Sequence, residues 1–166
     1  NTGQLHTVKL QDVPFGKFRD KGVPIDNISN YDSQKEYAIT VESQTSLNLY
    51  RILFVTAQAM MKIVDGGEFD VAKRTVAATK LQDNDEVISV EIIREQKQVI
   101  LQSAEGYFLR FGLEEVPEKK KSAVGVRGMK LSDKDHVEAV YYTLAAMPDP
   151  DIVYKDKHVE LQRIKP

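Results

Sequence analysis

Residues 99–135 read VILQSAEGYFLRFGLEEVPEKKKSAVGVRGMKLSDKD, in which short apolar segments flank a cationic loop. VILQS (99–103) and YFLRF (107–111) are rich in β-branched and aromatic residues and are separated by AEG, so they predict a β-hairpin. After the loop, VGVRGMKL (124–131) predicts a third strand, SDKD a turn, and HVEAVYYT (136–143) a fourth strand. The stretch therefore predicts a four-stranded, all-β unit.

The same pattern recurs elsewhere in the chain, which indicates an internal repeat. GQLHTVKLQDVP (3–14) aligns with GYFLRFGLEEVP (106–117), and the register continues without a gap through GV at 22–23 and 125–126, at a constant offset of 103. A weaker copy, RILFVTAQAMMKI (51–63), aligns with the third unit at an offset of 47.

The repeat is about 50 residues long and predicts an all-β, β-propeller-like architecture of four-stranded blades. Segment 70–78, DVAKRTVAA, is the nearest candidate for a helix, but its place in the repeat predicts loop and strand. No other helical stripe of useful length is evident. A fourth copy begins at 151, with Ile164 in the position of Leu113. The predicted blades are approximately 1–50, 51–96, 97–143 and the start of a fourth at 151–166, all parts of one incomplete domain.

The composition bounds the class of protein. The 166 residues are 42% hydrophobic and 29% charged, without an apolar run long enough to span a bilayer. The chain has no Cys, so disulfides and thiolate metal sites are excluded, as is typical of a reducing cytosol. It lacks an initiator Met and a signal peptide, which favours a piece of a longer protein. A net charge of −2 argues against a generally basic nucleic-acid binder but says nothing about local clusters.

Basic residues recur at matching positions, in the loop after the second strand of each repeat and near the next strand. If the repeats stack in register, these loops lie on one edge of the assembly and form a positive stripe, which suits the regular phosphates of duplex DNA. Lysines contact phosphates as point charges and read no bases, so little sequence preference is expected. A run such as EKKK is also typical of a solvated surface loop. The candidate DNA-binding residues are Lys17, Arg19, Lys21, Lys73, Arg74, Lys80, Lys119, Lys120, Lys121, Arg127 and Lys130.

No enzyme site assembles from the sequence. His6, His136 and His158 lack metal-ligand spacing, and the acidic turns DNDE and SDKD recur at one repeat position, as hairpin turns do. The chain contains no phosphate-binding glycine motif and no nucleophile elbow. A small hydrolase is therefore disfavoured, and no catalytic residue or metal site is predicted.

The order of hairpin, L-x-x-V-P, basic loop, G-V-x-G-x-K-L, acidic turn and strand resembles the C-terminal domain of the A subunit of bacterial DNA gyrase and topoisomerase IV. That domain is built of blade repeats in a fold called a β-pinwheel. The resemblance covers essentially the whole chain and is clearest over 97–143. It implies a non-catalytic module that binds duplex DNA along its rim, bends it and presents it to a strand-passing core.

The resemblance also implies properties of a parent enzyme. It would be an ATP-dependent type II DNA topoisomerase in the bacterial cytoplasm, associated with the nucleoid, with no membrane partner. Its A-subunit dimer would act with an ATPase B subunit. The cleaving tyrosine, ATP and Mg²⁺ would lie elsewhere in the complex, so no cofactor is expected in this chain.

Two departures from the family pattern refine this expectation. Complete family domains have five or six blades, whereas this chain has about three, so we expect weak, salt-dependent binding. The basic box QRRGGKG of gyrase is absent, and its nearest counterparts are KKKSAVG (119–125) and GKFRDKG (16–22). Its absence favours a topoisomerase IV-like parent over a wrapping gyrase.

An alternative class is a β-propeller-like scaffold that binds protein and not nucleic acid. The net negative charge and the aromatic residues Tyr107, Phe108 and Phe111 support this alternative. DNA binding that weakens steeply with salt would separate the two.

Overall fold

The computed structural model describes residues 1–163, and most of their regular structure is β. These residues include one short helix, α1 (Gln44–Leu49), and several single 3-10 turns. The strands are β1 (Gln4–His6), β2 (Arg51–Thr56), β3 (Met60–Asp65), β4 (Thr75–Ala77), β5 (Val87–Ile93), β6 (Gln96–Ser103), β7 (Phe108–Gly112), β8 (Val126–Arg127), β9 (Val137–Leu144), β10 (Val153–Tyr154) and β11 (Lys157–His158).

Two antiparallel hairpins form the centres of the two larger sheets. In the β2–β3 hairpin Leu53 lies opposite Ile63, and in the β6–β7 hairpin Leu101 lies opposite Leu109. The second hairpin turns at Gly106, whose φ of 91° is a left-handed conformation that glycine adopts without strain. β5 adds to β2, and β9 adds to β6. The predicted hairpin and the all-β class are confirmed.

The third strand of each repeat lies in the sheet of the preceding repeat. β8, from the third unit, pairs with β3 and completes the sheet β5-β2-β3-β8, while β4, from the second unit, pairs with β1. The prediction of a strand over 124–131 is wrong in extent, because only Val126–Arg127 pair between two glycines. The sequence repeat and the hydrogen-bonded sheet are therefore different units.

The two larger sheets share one apolar core, because alternate side chains of both hairpins face each other. Leu53 and Ile63 from one sheet pack with Leu101 from the other, and Val116, Met129 and Val137 close the cluster. A second cluster on the opposite face of β2 and β3 contains Ile52, Phe54, Val64, Phe69, Ala78 and Val87.

The first 50 residues contribute only β1 and α1 to the regular structure. Residues 7–43 contain no strand, and two 3-10 turns, Leu10–Asp12 and Ile25–Asn27, interrupt irregular chain. The six residues of α1 are too few to show an apolar stripe, so the helix has no signal in the sequence pattern. The hydroxyl of Ser43 caps α1 by accepting from Ser46 N–H (3.2 Å).

The chain after residue 144 forms a small hairpin, β10–β11, that packs on the β6 sheet. Ile152 and Leu161 are buried against Ile100. The predicted equivalence of Ile164 with Leu113 lies outside the described residues. Within 1–163, none of the helical segments has the length and apolar character needed to cross a bilayer.

Candidate nucleic-acid interface

The third cationic loop, residues 117–125, is fixed to the neighbouring sheet by a buried lysine. Lys62 on β3 has 0% exposure. Its ammonium donates to the backbone carbonyl oxygens of Lys120 (3.0 Å), Lys121 (2.9 Å) and Ala123 (2.6 Å). An ammonium has three N–H donors, so this geometry uses all of them. Lys62 therefore sets the path of the loop backbone.

Burial also changes the titration of Lys62. Loss of water around the charged form lowers the pKa of its ammonium to about 8, and the carboxylate of Glu68 opposes this shift. The ammonium is therefore mostly protonated at neutral pH. Between about pH 8 and pH 10.5 the Lys62 ammonium loses its proton, whereas an exposed lysine stays charged.

Glu68 provides a second attachment for the same loop. It lies in the 3-10 turn Gly66–Phe69, after β3. Its carboxylate accepts from Lys121 N–H (3.0 Å) and pairs with the ammonium of Lys120 (3.2 Å), while its carbonyl accepts from Lys121 Nζ (2.6 Å). The hydrogen bond from Lys121 N–H, followed by the charge of Lys120, holds the pKa of Glu68 below its usual value although burial acts to raise it.

The second cationic loop, residues 70–74, is attached to the first unit in the same way. The guanidinium of Arg74 lies 3.4 Å from the carboxylate of Asp12, and its carbonyl accepts from Thr7 N–H (2.7 Å). Asp12 and Glu68 occupy the same repeat position, because both align with Glu115. Each of these two loops therefore contacts an acidic turn of the preceding unit.

The first cationic loop, residues 15–21, is exposed and makes local contacts. Asp20 accepts from Lys17 N–H (2.7 Å), and the guanidinium of Arg19 lies 5.4 Å from the ring centroid of Phe18. Arg19 adopts a left-handed φ of 78°. Within residues 1–163, no hydrogen bond or ion pair joins this loop to the other two.

Ten of the eleven predicted DNA-binding residues have exposed side chains. Lys121 is half-buried and its ammonium is bound to Glu68, whereas Lys120 keeps a side chain that is 81% exposed. Lys80 N–H donates to Ala123 O (3.4 Å), which places Lys80 beside the third loop. The exposed residues are Lys17, Arg19, Lys21, Lys73, Arg74, Lys80, Lys119, Lys120, Arg127 and Lys130.

Sequence reasoning missed Lys62 and Glu68, which shape the third loop without belonging to it. Lys62 interrupts the apolar run MMKIVD, but a lysine at that place in a strand usually points to solvent. The recurrence of an acidic residue at positions 12, 68 and 115 was a signal in the sequence for these attachments.

The histidines make local polar contacts. His6 lies 3.0 Å from the Thr75 hydroxyl and 2.8 Å from the Glu36 carboxylate, and His158 lies 2.7 Å from Asp151. Among the residues that the structure describes, no cluster of three or more His, Asp or Glu could hold a metal ion.

The exchanged strands and the repeated loop attachments define a repeat domain of the β-propeller type. The sequence model of the family described as "DNA gyrase C-terminal domain, beta-propeller" matches residues 50–94 and 97–143, together more than half of the chain. The chain belongs to this family, which confirms the predicted resemblance.

Curated relatives agree with this assignment. The DNA gyrase A protein of Lawsonia intracellularis (strain PHE/MN1-00) is 30% identical over 141 residues, which cover 84% of this chain and 17% of that protein. The DNA gyrase A protein of Klebsiella oxytoca is 29% identical over 81% of this chain and 16% of its own length. The chain spans about a sixth of the relatives that it matches.

Solved structures confirm the fold. A C-terminal domain of DNA topoisomerase IV matches 87% of this chain and 46% of its own length, with 25% identity and a TM-score of 0.78. A DNA gyrase A C-terminal domain matches 86% of this chain and 45% of its own, with 24% identity and a TM-score of 0.59. The predicted propeller-like, β-pinwheel class is therefore confirmed.

Proposed function

We propose that this chain binds duplex DNA through its basic loops and bends it, as a non-catalytic module of the gyrase A-type polypeptide of a type IIA topoisomerase. The observation that carries this proposal is the repeated attachment of a cationic loop to the acidic turn of the preceding unit. Because Asp12 and Glu68 occupy the same repeat position, the two loops that contact them, through Arg74 and Lys120, lie at corresponding places in successive units. Such an arrangement presents cations at regular intervals to the phosphates of a duplex.

The basic residues have different roles in this proposal. Lys80, Lys119 and Lys120 contact phosphate beside the third loop, where their side chains are exposed. Lys121 acts mainly as a positioning residue, because its half-buried ammonium donates to Glu68 O. Arg74 also positions its loop through Asp12. Lys120 has both roles, since its ammonium contacts Glu68 while 81% of its side chain is exposed. Lys62 positions the same loop from beneath.

We propose a bend because phosphate contacts from several units can supply the free energy that bending the duplex requires. Curving a short duplex by 40–90° costs on the order of 1–6 kcal/mol. Contacts from successive units can offset this cost only if one duplex reaches several of the loops. A bend is therefore expected where several units engage one duplex.

The proposal extends to the activity and the partners of the full-length protein. We infer an ATP-dependent type II topoisomerase of the bacterial cytoplasm, in which an A-subunit dimer works with an ATPase B subunit. The family membership and the gyrase A relatives support it. The parent is a topoisomerase IV-like enzyme or a gyrase, since the matched relatives and the matched solved domain carry these two names.

The test compares two triple variants that lose the same charge. Lys80, Lys119 and Lys120 are changed together to Gln, and the control changes the exposed Lys97, Lys155 and Lys157 to Gln. Fluorescence anisotropy with a duplex of about 30 base pairs measures affinity over a range of salt concentrations. The native chain should show a linear fall of log K with log salt, and the loop variant a slope smaller by about 0.9 per lost contact.

The control variant should bind as the native chain does, within the small effect of net charge. An equal loss of DNA affinity in both variants would show that binding depends only on general electrostatic attraction. It would overturn the assignment of DNA binding to these loops. No binding of the native chain at low salt would overturn the DNA proposal and favour a protein-binding scaffold. Energy transfer between dyes at the two duplex ends tests the bend.

A further inference from the structure

The turn at the tip of the third cationic loop directs its carbonyl groups inward. Ala123 N–H donates to Lys120 O (3.0 Å), which closes a β-turn. The carbonyl oxygens of Lys120, Lys121 and Ala123 all accept from the ammonium of Lys62, at 3.0, 2.9 and 2.6 Å. Three carbonyl groups of a single turn therefore converge on one buried cation.

The N–H ends of the same three peptide groups point outward. In a planar trans peptide, the carbonyl group and the N–H of the next residue have opposite directions. The N–H groups that belong to these three carbonyls are those of Lys121, Ser122 and Val124. They therefore point away from Lys62, on the far side of the turn. Backbone N–H groups that are directed to one side of a turn form concavities that bind anions.

One of these three outward N–H groups already binds a negative charge. Lys121 N–H donates to the carboxylate of Glu68 (3.0 Å). This hydrogen bond is the main reason why the pKa of Glu68 lies below its usual value. The outward side of the turn therefore stabilises an anion where one is within reach.

The other two outward N–H groups have no acceptor within the chain. In the part of the chain that the structure describes, neither the N–H groups of Ser122 and Val124 nor the hydroxyl of Ser122 makes a hydrogen bond. Ser122 is exposed and Val124 is half-buried. Backbone N–H groups are strong donors that are rarely left unpaired, so these two need water or a ligand as acceptor. Three adjacent donors are thus available to one ligand.

Exposed cations lie beside these donors and favour a phosphate group as the ligand. Lys119 and Lys120 are exposed on the same loop, and Lys80 lies next to it through its N–H contact with Ala123 O. A phosphate group has several oxygens, so it can accept from backbone N–H groups, a hydroxyl and a lysine at once. The donors fix the position of the phosphate, while the lysines supply opposite charge.

This geometry belongs to one junction between repeats. Lys62 aligns with His6 in the first unit and with Leu109 in the third. The second cationic loop is also three residues shorter than the third, because the offset between the two repeats changes from 47 before it to 50 after it. The inward carbonyls and the outward N–H groups therefore follow from Lys62 and the longer loop together.

We propose that the turn at residues 120–124 is a phosphate-binding site, in which the N–H groups of Ser122 and Val124 and the Ser122 hydroxyl donate to phosphate oxygens. Lys62 is a positioning residue, because its side chain is 0% exposed and holds the turn without touching the ligand. The main ligand is a phosphate of the duplex backbone, so the site deepens the proposed function and rests on it. Inorganic phosphate has the same chemistry, and the test separates the two sources.

Nuclear magnetic resonance of the ¹⁵N-labelled chain tests the donors directly. The chain is titrated with inorganic phosphate at constant ionic strength and, separately, with the same duplex as above. The amide protons of Ser122 and Val124 should move downfield, because each donates to a charged oxygen. Amides of the exposed first loop, residues 15–21, should move less, since that loop has cations but no such turn. In Lys62→Met the shifts at Ser122 and Val124 should be lost, because nothing then holds the carbonyls inward.

A proline variant tests the same donors through affinity. Val124→Pro removes one N–H without changing the charge, whereas the control Val124→Ala keeps that N–H. Val124→Pro should lower the affinity for the duplex about tenfold or more, with an unchanged circular dichroism spectrum. The slope of log K against log salt should stay the same, because it counts only phosphates that cations neutralise. Val124→Ala should bind as the native chain does.

The outcomes separate this site from the proposed function. A native chain that binds the duplex while the amides of Ser122 and Val124 stay unmoved would overturn the site and leave the function standing. Shifts with inorganic phosphate but not with the duplex would overturn the duplex as ligand and assign the site to free phosphate. Equal shifts in residues 15–21, or native affinity in Val124→Pro, would overturn the site. Absence of duplex binding at low salt would overturn the function, and the inorganic phosphate titration would still decide whether these donors bind phosphate.

Discussion

Lys62 is the residue on which the shape of the third cationic loop depends. Its pKa is about 8 in the folded chain and near 10.5 when exposed. Between these values the unfolded chain binds more protons than the folded chain. The free energy of unfolding contributed by Lys62 therefore rises with pH in this window, by at most about 1.4 kcal/mol per pH unit.

The variant Lys62→Met isolates this contribution, because it keeps the side-chain length and removes the charge. Urea unfolding of both chains, followed by far-UV circular dichroism between about pH 7 and 10, gives the difference in unfolding free energy. That difference should shift in favour of the native chain as pH rises, since other titrating groups are common to both. A difference independent of pH would mean an ordinary folded-state pKa for Lys62.

Gly125 and Gly22 form a matched pair of left-handed glycines. Alanine at either position has an unfavourable positive φ, which costs on the order of 1–2 kcal/mol. At position 125 the new Cβ would also lie 2.5 Å from Met61 O, so the backbone must move. Gly125→Ala should therefore lower the unfolding free energy by about 2 kcal/mol more than Gly22→Ala. Urea unfolding in dilute solution measures both, and equal losses would contradict the packing of Gly125 on β3.

At the scale of elements, the third loop is held by the 3-10 turn that carries Glu68. Glu68→Gln removes the charge that accepts from Lys121 N–H and pairs with Lys120. We expect faster hydrogen exchange over residues 118–123, corresponding to about 1–2 kcal/mol of local stability, and unchanged exchange in β6. The control Glu114→Gln, at an exposed position of the next turn, should leave hydrogen exchange unchanged both over residues 118–123 and in β6.

The pKa of Glu68 also predicts how this attachment responds to acid. Because the pKa is below its usual 4.5, the carboxylate stabilises the folded chain at all pH values above about 4.5. That stabilisation is lost as the pH falls through the lower folded-state value. In Glu68→Gln this part of the acid dependence should disappear, and equal acid dependence of the two chains would contradict the attachment.

The elements that sequence predicts well here are those whose partners are local. The β6–β7 hairpin follows from two apolar strands around the turn at Gly106. The exchange of β8 into the neighbouring sheet could not be predicted, because two residues between glycines carry no pairing signal. The role of Lys62 could not be predicted either, because the carbonyl groups that its ammonium binds lie about 60 residues further along the chain.

In the candidate site, too, the features set by nearby sequence could be predicted and those set by distant residues could not. The repeat alignment predicted that cationic loops occupy equivalent positions, and two of these loops contact acidic residues that share one repeat position, Asp12 and Glu68. Which cations are exposed and which hold the loop depends on the preceding unit. Lys121 and Lys119 look alike in sequence, but only the ammonium of Lys121 is bound to Glu68.

At the scale of the whole molecule, strand exchange makes each unit depend on the next. β8 is the edge strand of one large sheet, while β9 of the same repeat belongs to the other. Both sheets also contribute to one apolar core. We therefore expect the two sheets to unfold together in one transition.

Proline substitutions in β8 test this coupling. Val126→Pro removes an N–H that faces β3 and should cost about 3 kcal/mol, with faster hydrogen exchange in both sheets, because β8 links them. Arg127→Pro removes an N–H that faces away, and Pro24 already occupies the equivalent position, so it should cost less than about 1 kcal/mol. Urea unfolding and hydrogen exchange measured by mass spectrometry report both effects. If Val126→Pro loosened β3 but left β6 and β9 fully protected, the sheets would be independent, and the exchanged strand would serve only to cover an edge.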